Sequence, residues 1–390
     1  MRIALAGLLW ALAVTCSAAP SEVRGLWVVR TGLVSPEAVD RVVDQAVAGG
    51  FNTLLVQVRG RGDAFYRSDL VPRSVLLTPR YAKFDPLAHL LERAKAHHLQ
   101  VHAWVNVLLS AHFGQPLPPD HILLTHPEWV MVPRKAARAA LNARGKELLR
   151  IVAEASSRAD VEGYYISPAA PGVTPHLEGV VRELLQRYPV DGLHLDFIRY
   201  PSADFDYSRH ALQSYQRAHG GGLLDVTTRP TMGWDDHRRA LLTALAERLS
   251  AAARRERPGL PISAAVVPSE IEAVGRKFQA WPAWVGSGIV DAVCPMAYTP
   301  DPAIFRTQIE QARALVPARQ AVWAGVGAYR LTIDGIVKNI QTARELGAAG
   351  VVLFSHESLD RPSLDTLRRE AFSPPTVVAG TPLLLASPLR

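Results

Sequence analysis

The chain has 390 residues, 48% hydrophobic and 20% charged, which excludes an intrinsically disordered polymer and leaves room for one large domain or two ordinary ones. Its formal net charge is +7 with Lys and Arg spread along the whole length, a balance that favours an anionic surface or polymer as neighbour without naming it. Beyond Cys16 the only cysteine is Cys294, so a chain cleaved after the N-terminal segment has no intramolecular disulfide even in an oxidising compartment.

The opening residues, MRIALAGLLWALAVTCSAAP, place Arg2 before a short apolar run and then small residues, the pattern of a secretory signal over residues 1–18. The apolar run is too short for a comfortable membrane span. A lipid anchor on Cys16 is the weaker alternative, because Thr15 is a poor residue to precede a lipidated cysteine. Either route exports the protein to the periplasm or the cell exterior.

Eight short apolar, β-branched-rich runs follow, at residues 24–30, 52–60, 100–110, 191–200, 261–269, 291–299, 320–329 and 350–358. Helix-like segments separate most of them. Ser35 is a cap and Pro36 a first helical residue for a segment with Val39, Val42, Val43, Ala46 and Val47 on one face, ending at Gly49–Gly50. Asp85 opens a second segment of the same design. Strands alternating with helices imply parallel βαβ units, and eight such units close into a (β/α)8 TIM barrel over residues 19–370, with an open doubly wound sheet as the alternative. Long insertions after strands three and four, residues 111–190 and 202–260, interrupt the alternation, and a Pro-rich tail occupies 371–390.

Side chains alternate along a strand, so parity sorts barrel interior from exterior. Leu193 and Leu195 in DGLHLDFIRYP share the helix-facing side, which turns His194 and Asp196 inward. The same parity sends Gln57 and Arg59 inward from strand two, His102, Trp104 and Asn106 from strand three, and Met296 and Tyr298 from strand six. Polar and aromatic groups thus converge at the C-terminal mouth, where barrel enzymes keep their chemistry.

Aromatic faces stack on sugar rings while amides and charges pair with hydroxyls, so Trp27, Trp104 and Tyr298 are candidate platforms and Gln57, Arg59 and Asn106 candidate hydroxyl binders. Glycoside hydrolysis usually needs two carboxyl groups. Asp196 is the first, with Arg59 or Arg199 to tune it. Glu270, just past strand five, is the preferred partner, and Glu357, after strand eight, and Asp63, in the loop after strand two, compete. His194, Asp196 and His102 together raise a metal-dependent deacetylase as a further alternative. A sugar-binding barrel without catalysis is another. No phosphate loop or dinucleotide fingerprint is present, and neither a cofactor nor a nucleic-acid partner is expected. Cys294, in a strand-like run, reads as a small buried hydrophobe.

RGLWV, FNTLLVQVRGRGDAFYRS, VHAWVN, HPEWVM, YPVDGLHLDFIRYP, WPAWVGSGIVDAVCPMAYT and GAYR, spread over residues 24–370, resemble the glycosyl-hydrolase-like family 10 of secreted bacterial barrels. The resemblance implies a (β/α)8 glycosidase, glycan hydrolysis and, in one branch, action on peptidoglycan strands stripped of their stem peptides. It supports Asp196 as the central acid and Arg59, Asp63, Trp104, Asn106 and Tyr298 as site residues. Many members carry a second acid directly after the central one, where this chain has Phe197. Chitinase-like barrels place a glutamate where this chain has Ile198, so Asp196 must find its partner on another strand.

Overall fold

The computed structural model describes residues 22–156 and 161–372. The signal-like segment, Cys16 and most of the C-terminal tail lie outside the described residues. Eight parallel strands close into a barrel: β1 (Val23–Val28), β2 (Thr53–Arg59), β3 (Gln100–Asn106), then, after a two-stranded hairpin of β4 (Leu109–Ala111) and β5 (Tyr164–Tyr165), β6 (Gly192–Asp196), β7 (Ile262–Val266), β8 (Ala292–Ala297), β9 (Ala321–Gly327) and β10 (Gly350–Phe354). Each strand pairs with its sequence neighbour in the barrel, and β10 returns to β1. This is the TIM-barrel architecture that the alternation of strand and helix runs implies.

The helices form where their caps and apolar stripes place them. Ser35 Oγ accepts the Ala38 N–H at 3.2 Å, Pro36 occupies the first turn, and Gly50 ends the helix Pro36–Gly49 in the left-handed conformation. Val39, Val42, Val43 and Ala46 of this helix are buried against the barrel. Asp85 likewise caps Pro86–Ala96, accepting the Ala88 N–H at 3.1 Å.

Two apolar layers follow from strand alternation. Leu54, Val56, Val58, Val101, Ala103, Val105, Leu193 and Leu195 join the helices in the outer core, whereas Trp27, Leu55, Trp104, Cys294, Trp323 and Val352 fill the barrel axis. Cys294 is fully buried, as a small hydrophobe would be. Inside the barrel Trp27 Nε1 donates to His194 Nε2 at 3.2 Å, and His194 Nδ1 meets Ser263 Oγ at 2.9 Å. Burial pushes the His194 pKa down to about 3 and that of His102 to about 4, so both rings stay neutral. Both nitrogens of His194 are thereby occupied, and no group of three or more His, Cys, Asp or Glu among the described residues is arranged to hold a metal ion.

Two runs end earlier than their apolar patterns imply. The run at 100–110 stops as a barrel strand at Asn106, and its remainder forms β4, which pairs antiparallel with β5. The run at 191–200 stops at Asp196 because Phe197 adopts φ +49, outside any strand.

Candidate active site

The register of the barrel brings the chemistry together. Asn106 pairs with Asp196 and Trp104 with His194, so the ends of β3 and β6 stand level at the mouth. Asp196 opens onto a cavity of about 410 Å³, which Trp27, Gln57, Trp104, Asn106, Arg199, Tyr298 and Glu357 also line.

Asp196 is held by two donors. Trp104 Nε1 reaches Oδ2 at 3.0 Å, and the Phe197 N–H reaches Oδ1 at 2.6 Å. Phe197 itself sits in the left-handed region at φ +49, a strained conformation for a bulky residue. Burial nevertheless dominates and raises the Asp196 pKa to about 6, against the lowering pull of the Phe197 hydrogen bond, the Arg199 charge and the Trp104 hydrogen bond. A carboxyl group that keeps its proton up to about pH 6 can act as a general acid in mildly acidic solution.

A second carboxylate arrives from the first insertion. Glu162 lies just before β5 and lines the same cavity. Arg199 Nη2 donates to its Oε1 at 2.6 Å and the Tyr165 hydroxyl to its Oε2 at 2.7 Å. Burial pushes the Glu162 carboxyl up, but the Arg199 charge and these hydrogen bonds outweigh it and leave the pKa below the usual value. Gly163 makes this approach feasible: at φ +150 it passes so close to β4 that a Cβ would overlap the Ala111 carbonyl oxygen. Arg199 itself spans the site, its guanidinium 4.8 Å above the Phe197 ring. Phe197 therefore serves as a platform for the arginine that holds Glu162.

The other expected residues divide. Gln57 Oε1 accepts the Arg30 N–H at 3.3 Å, and its amide nitrogen donates to Asn106 Oδ1 at 3.4 Å; Asn106 in turn donates to the Gly60 carbonyl at 2.7 Å. Glu357 stands exposed on the rim and accepts from the Thr31 hydroxyl. Three residues stand away from the cavity wall. The β2–β3 pairing slips between Gln57 and Arg59, so strict alternation fails there, and the buried Arg59 guanidinium turns to the Asn106 and Val107 carbonyls. Arg199, not Arg59, supplies the charge that acts on Asp196. Asp63 closes its own turn by accepting the Arg61 N–H at 2.8 Å. Glu270 is an exposed first-turn residue of the helix Glu270–Arg276, capped by Ser269, and does not reach the cavity.

Sequence reasoning missed Glu162, Arg30, Arg61 and His112, all of which line the cavity. Arg30 and Arg61 follow strand ends directly and were within reach of a parity argument extended by two residues. Glu162 carried no local signal.

Comparison with known proteins decides the family. Residues 22–338 match the model of a family described as glycosyl hydrolase-like 10. The chain belongs to this family. Membership makes it a glycoside hydrolase. Glycosyl hydrolase DigH of Escherichia coli strain K12 is 21% identical over 89% of this chain and 86% of its own length. Glycosyl hydrolase YngK of Bacillus subtilis strain 168 is 27% identical, but over only 41% of this chain and 28% of its own length. Among solved structures, the glycoside hydrolase domain of PgaB (BpsB) from Bordetella bronchiseptica superposes with a TM-score of 0.66 at 14% identity, covering 90% of this chain and 99% of that one. The catalytic domain of β-amylase from Paenibacillus polymyxa gives 0.60 at 10% identity, covering 92% and 100%. At such identities these structures establish the barrel fold.

Proposed function

We propose that this family member is an exported enzyme that hydrolyses glycosidic bonds in a cell-envelope polysaccharide, namely peptidoglycan glycan strands stripped of their peptides, with Asp196 as general acid and Glu162 as the ionised carboxylate. The observation that carries the reading is two carboxyl groups in one cavity with pKa values displaced in opposite directions, Asp196 upward to about 6 by burial and Glu162 downward by Arg199 and Tyr165. Divergent environments of this kind divide acid from base or nucleophile. Tyr298, half-buried at the mouth, offers a ring face to a saccharide, whereas Trp27 and Trp104, 1% and 3% exposed, close the floor of the cavity beneath it, and the Gln57 and Asn106 amides line its wall. In the reaction, the Asp196 proton goes to the departing glycosidic oxygen while the Glu162 carboxylate attacks the anomeric carbon or takes a proton from the attacking water.

The signal-like N-terminus and the net charge of +7 support export and an acidic polymer as substrate. No helix among the described residues is long and apolar enough to cross a membrane. The test is release of new reducing ends from purified peptide-free sacculi. Asp196→Asn should reduce the rate by about 10²–10⁴-fold, the usual contribution of a general acid. Full activity in that variant removes Asp196 from the mechanism, and absence of cleavage by the unaltered protein removes the substrate.

A further inference from the structure

Among the described residues three arginines line the cavity, and the hydrolytic roles above occupy only one of them. Arg199 is committed to Glu162 through Nη2, although its Nε and Nη1 are buried without a hydrogen-bond partner. Arg30 is different. Its backbone N–H is bonded to Gln57, but its guanidinium makes no hydrogen bond or ion pair with any described residue. It rests across the end of β2 at Gly60, where an added Cβ would come within 3.1 Å of Arg30 Cδ and 3.3 Å of Nη1. Arg61, the next residue, gives Nη1 to Gln115 Oε1 at 3.2 Å and keeps other donors free.

The two guanidiniums are electrostatic neighbours. Burial and then the Arg30 charge, against the opposing pull of Asp63, bring the Arg61 pKa down to about 10. Asp63 and Glu357 attract Arg30, and Asp63 attracts Arg61, but neither carboxylate hydrogen-bonds a guanidinium of the pair: Asp63 accepts the Arg61 backbone N–H and Glu357 the Thr31 hydroxyl. Two half-buried guanidiniums beside the catalytic cavity thus keep donors unused among the described residues, and a planar carboxylate fits the guanidinium fork better than a hydroxyl does.

We propose that Arg30 and Arg61 form a subsite for a carboxylate carried by the sugar in the cavity, so that the enzyme selects acidic glycans. The inference rests on the hydrolase reading for the identity of the ligand. Two sources present this group: the lactyl ether of peptide-free peptidoglycan and the ring carboxylate of a uronic acid. In peptide-bearing strands the lactyl carboxyl is an amide, which has no charge for the arginines to bind.

The test is calorimetric binding to the Asp196→Asn protein, which separates recognition from turnover. The probes are a peptide-free peptidoglycan oligosaccharide, the same oligosaccharide with its carboxylates reduced to alcohols, and an oligouronate. Reduction should weaken binding at least tenfold, and adding Arg30→Gln with Arg61→Gln should narrow that difference to under threefold while the circular dichroism spectrum is retained. Tighter binding of the oligouronate, lost in the same double variant, supports the subsite and assigns the carboxylate to a uronic acid. The proposal is overturned if the carboxylated and reduced forms bind within threefold of each other, if the double variant keeps the full difference, or if no probe binds. Failure of the hydrolase reading registers elsewhere, as absence of reducing ends from the unaltered enzyme, and leaves this binding comparison to be decided by itself.

Discussion

Trp104→Phe isolates how the site sets the proton affinity of Asp196. The indole N–H donates to Asp196 Oδ2 at 3.0 Å and lowers its pKa, while phenylalanine keeps an aromatic ring and has no donor. A hydrogen bond to a charged group contributes about 1.5–3 kcal/mol and one to a neutral group about 0.5–1.5 kcal/mol. The ionised form therefore loses about 1–1.5 kcal/mol more than the protonated form. At 1.36 kcal/mol per unit this raises the pKa by about one unit. Asp196 titrates at about 6, and a general acid loses activity as pH rises through its pKa. The alkaline limb of kcat/KM should accordingly move from near 6 to about 7 in the variant. The assay is initial rate of reducing-end release between pH 4 and pH 9, and the limb position is read independently of the lower overall rate. Trp27→Phe is the control, because the Trp27 N–H goes to His194 and its limb should stay in place. A limb that stays put or moves down in Trp104→Phe, or moves equally in both variants, refutes the reasoning.

Glu162→Gln should reduce kcat by about 10²–10⁴-fold, whereas Glu357→Gln, at the exposed rim, should change it by less than about tenfold; equal losses would remove the distinction between the two acids. Asp196 also makes stability depend on pH. Its pKa is raised from 3.8 to about 6 by burial, so the folded protein binds the proton more tightly than the unfolded chain and loses stability as pH rises through that window. The difference amounts to roughly 3 kcal/mol, and Asp196→Asn should therefore gain on the unaltered protein by up to that amount between pH 3.5 and pH 7 in urea unfolding. A constant difference across that range counts against the burial argument. Gly163→Ala should cost about 1–3 kcal/mol and lower kcat, since its Cβ meets the Ala111 carbonyl and drives Glu162 from Arg199; a variant with native melting temperature and rate would show that the hairpin yields freely.

Much of the architecture was legible in the residues because it depends on neighbours in the chain. Ser35 and Asp85 cap helices through contacts three residues away, and the Leu193–Leu195 alternation turns Asp196 into the barrel by the pleat of one strand. The family motifs carried the barrel and its glycosidase class for the same reason. Irregular backbone defeated parity at Arg59, where a slip of register between β2 and β3 rotates the side chain towards carbonyl groups.

The amino-acid sequence by itself determined the eight strands, their helices, and one buried acid at the end of the fourth barrel strand, because side-chain periodicity and capping are local. Only the tertiary structure decided what that acid works with. Glu162 reaches Arg199 across 37 residues of chain, through a hairpin whose close approach depends on Gly163, while Glu270 stands one strand from Asp196 and is turned to solvent by the start of its helix. The meeting of two distant side chains is set by how an insertion folds back over the barrel, a long-range packing outcome that no local pattern of residues encodes.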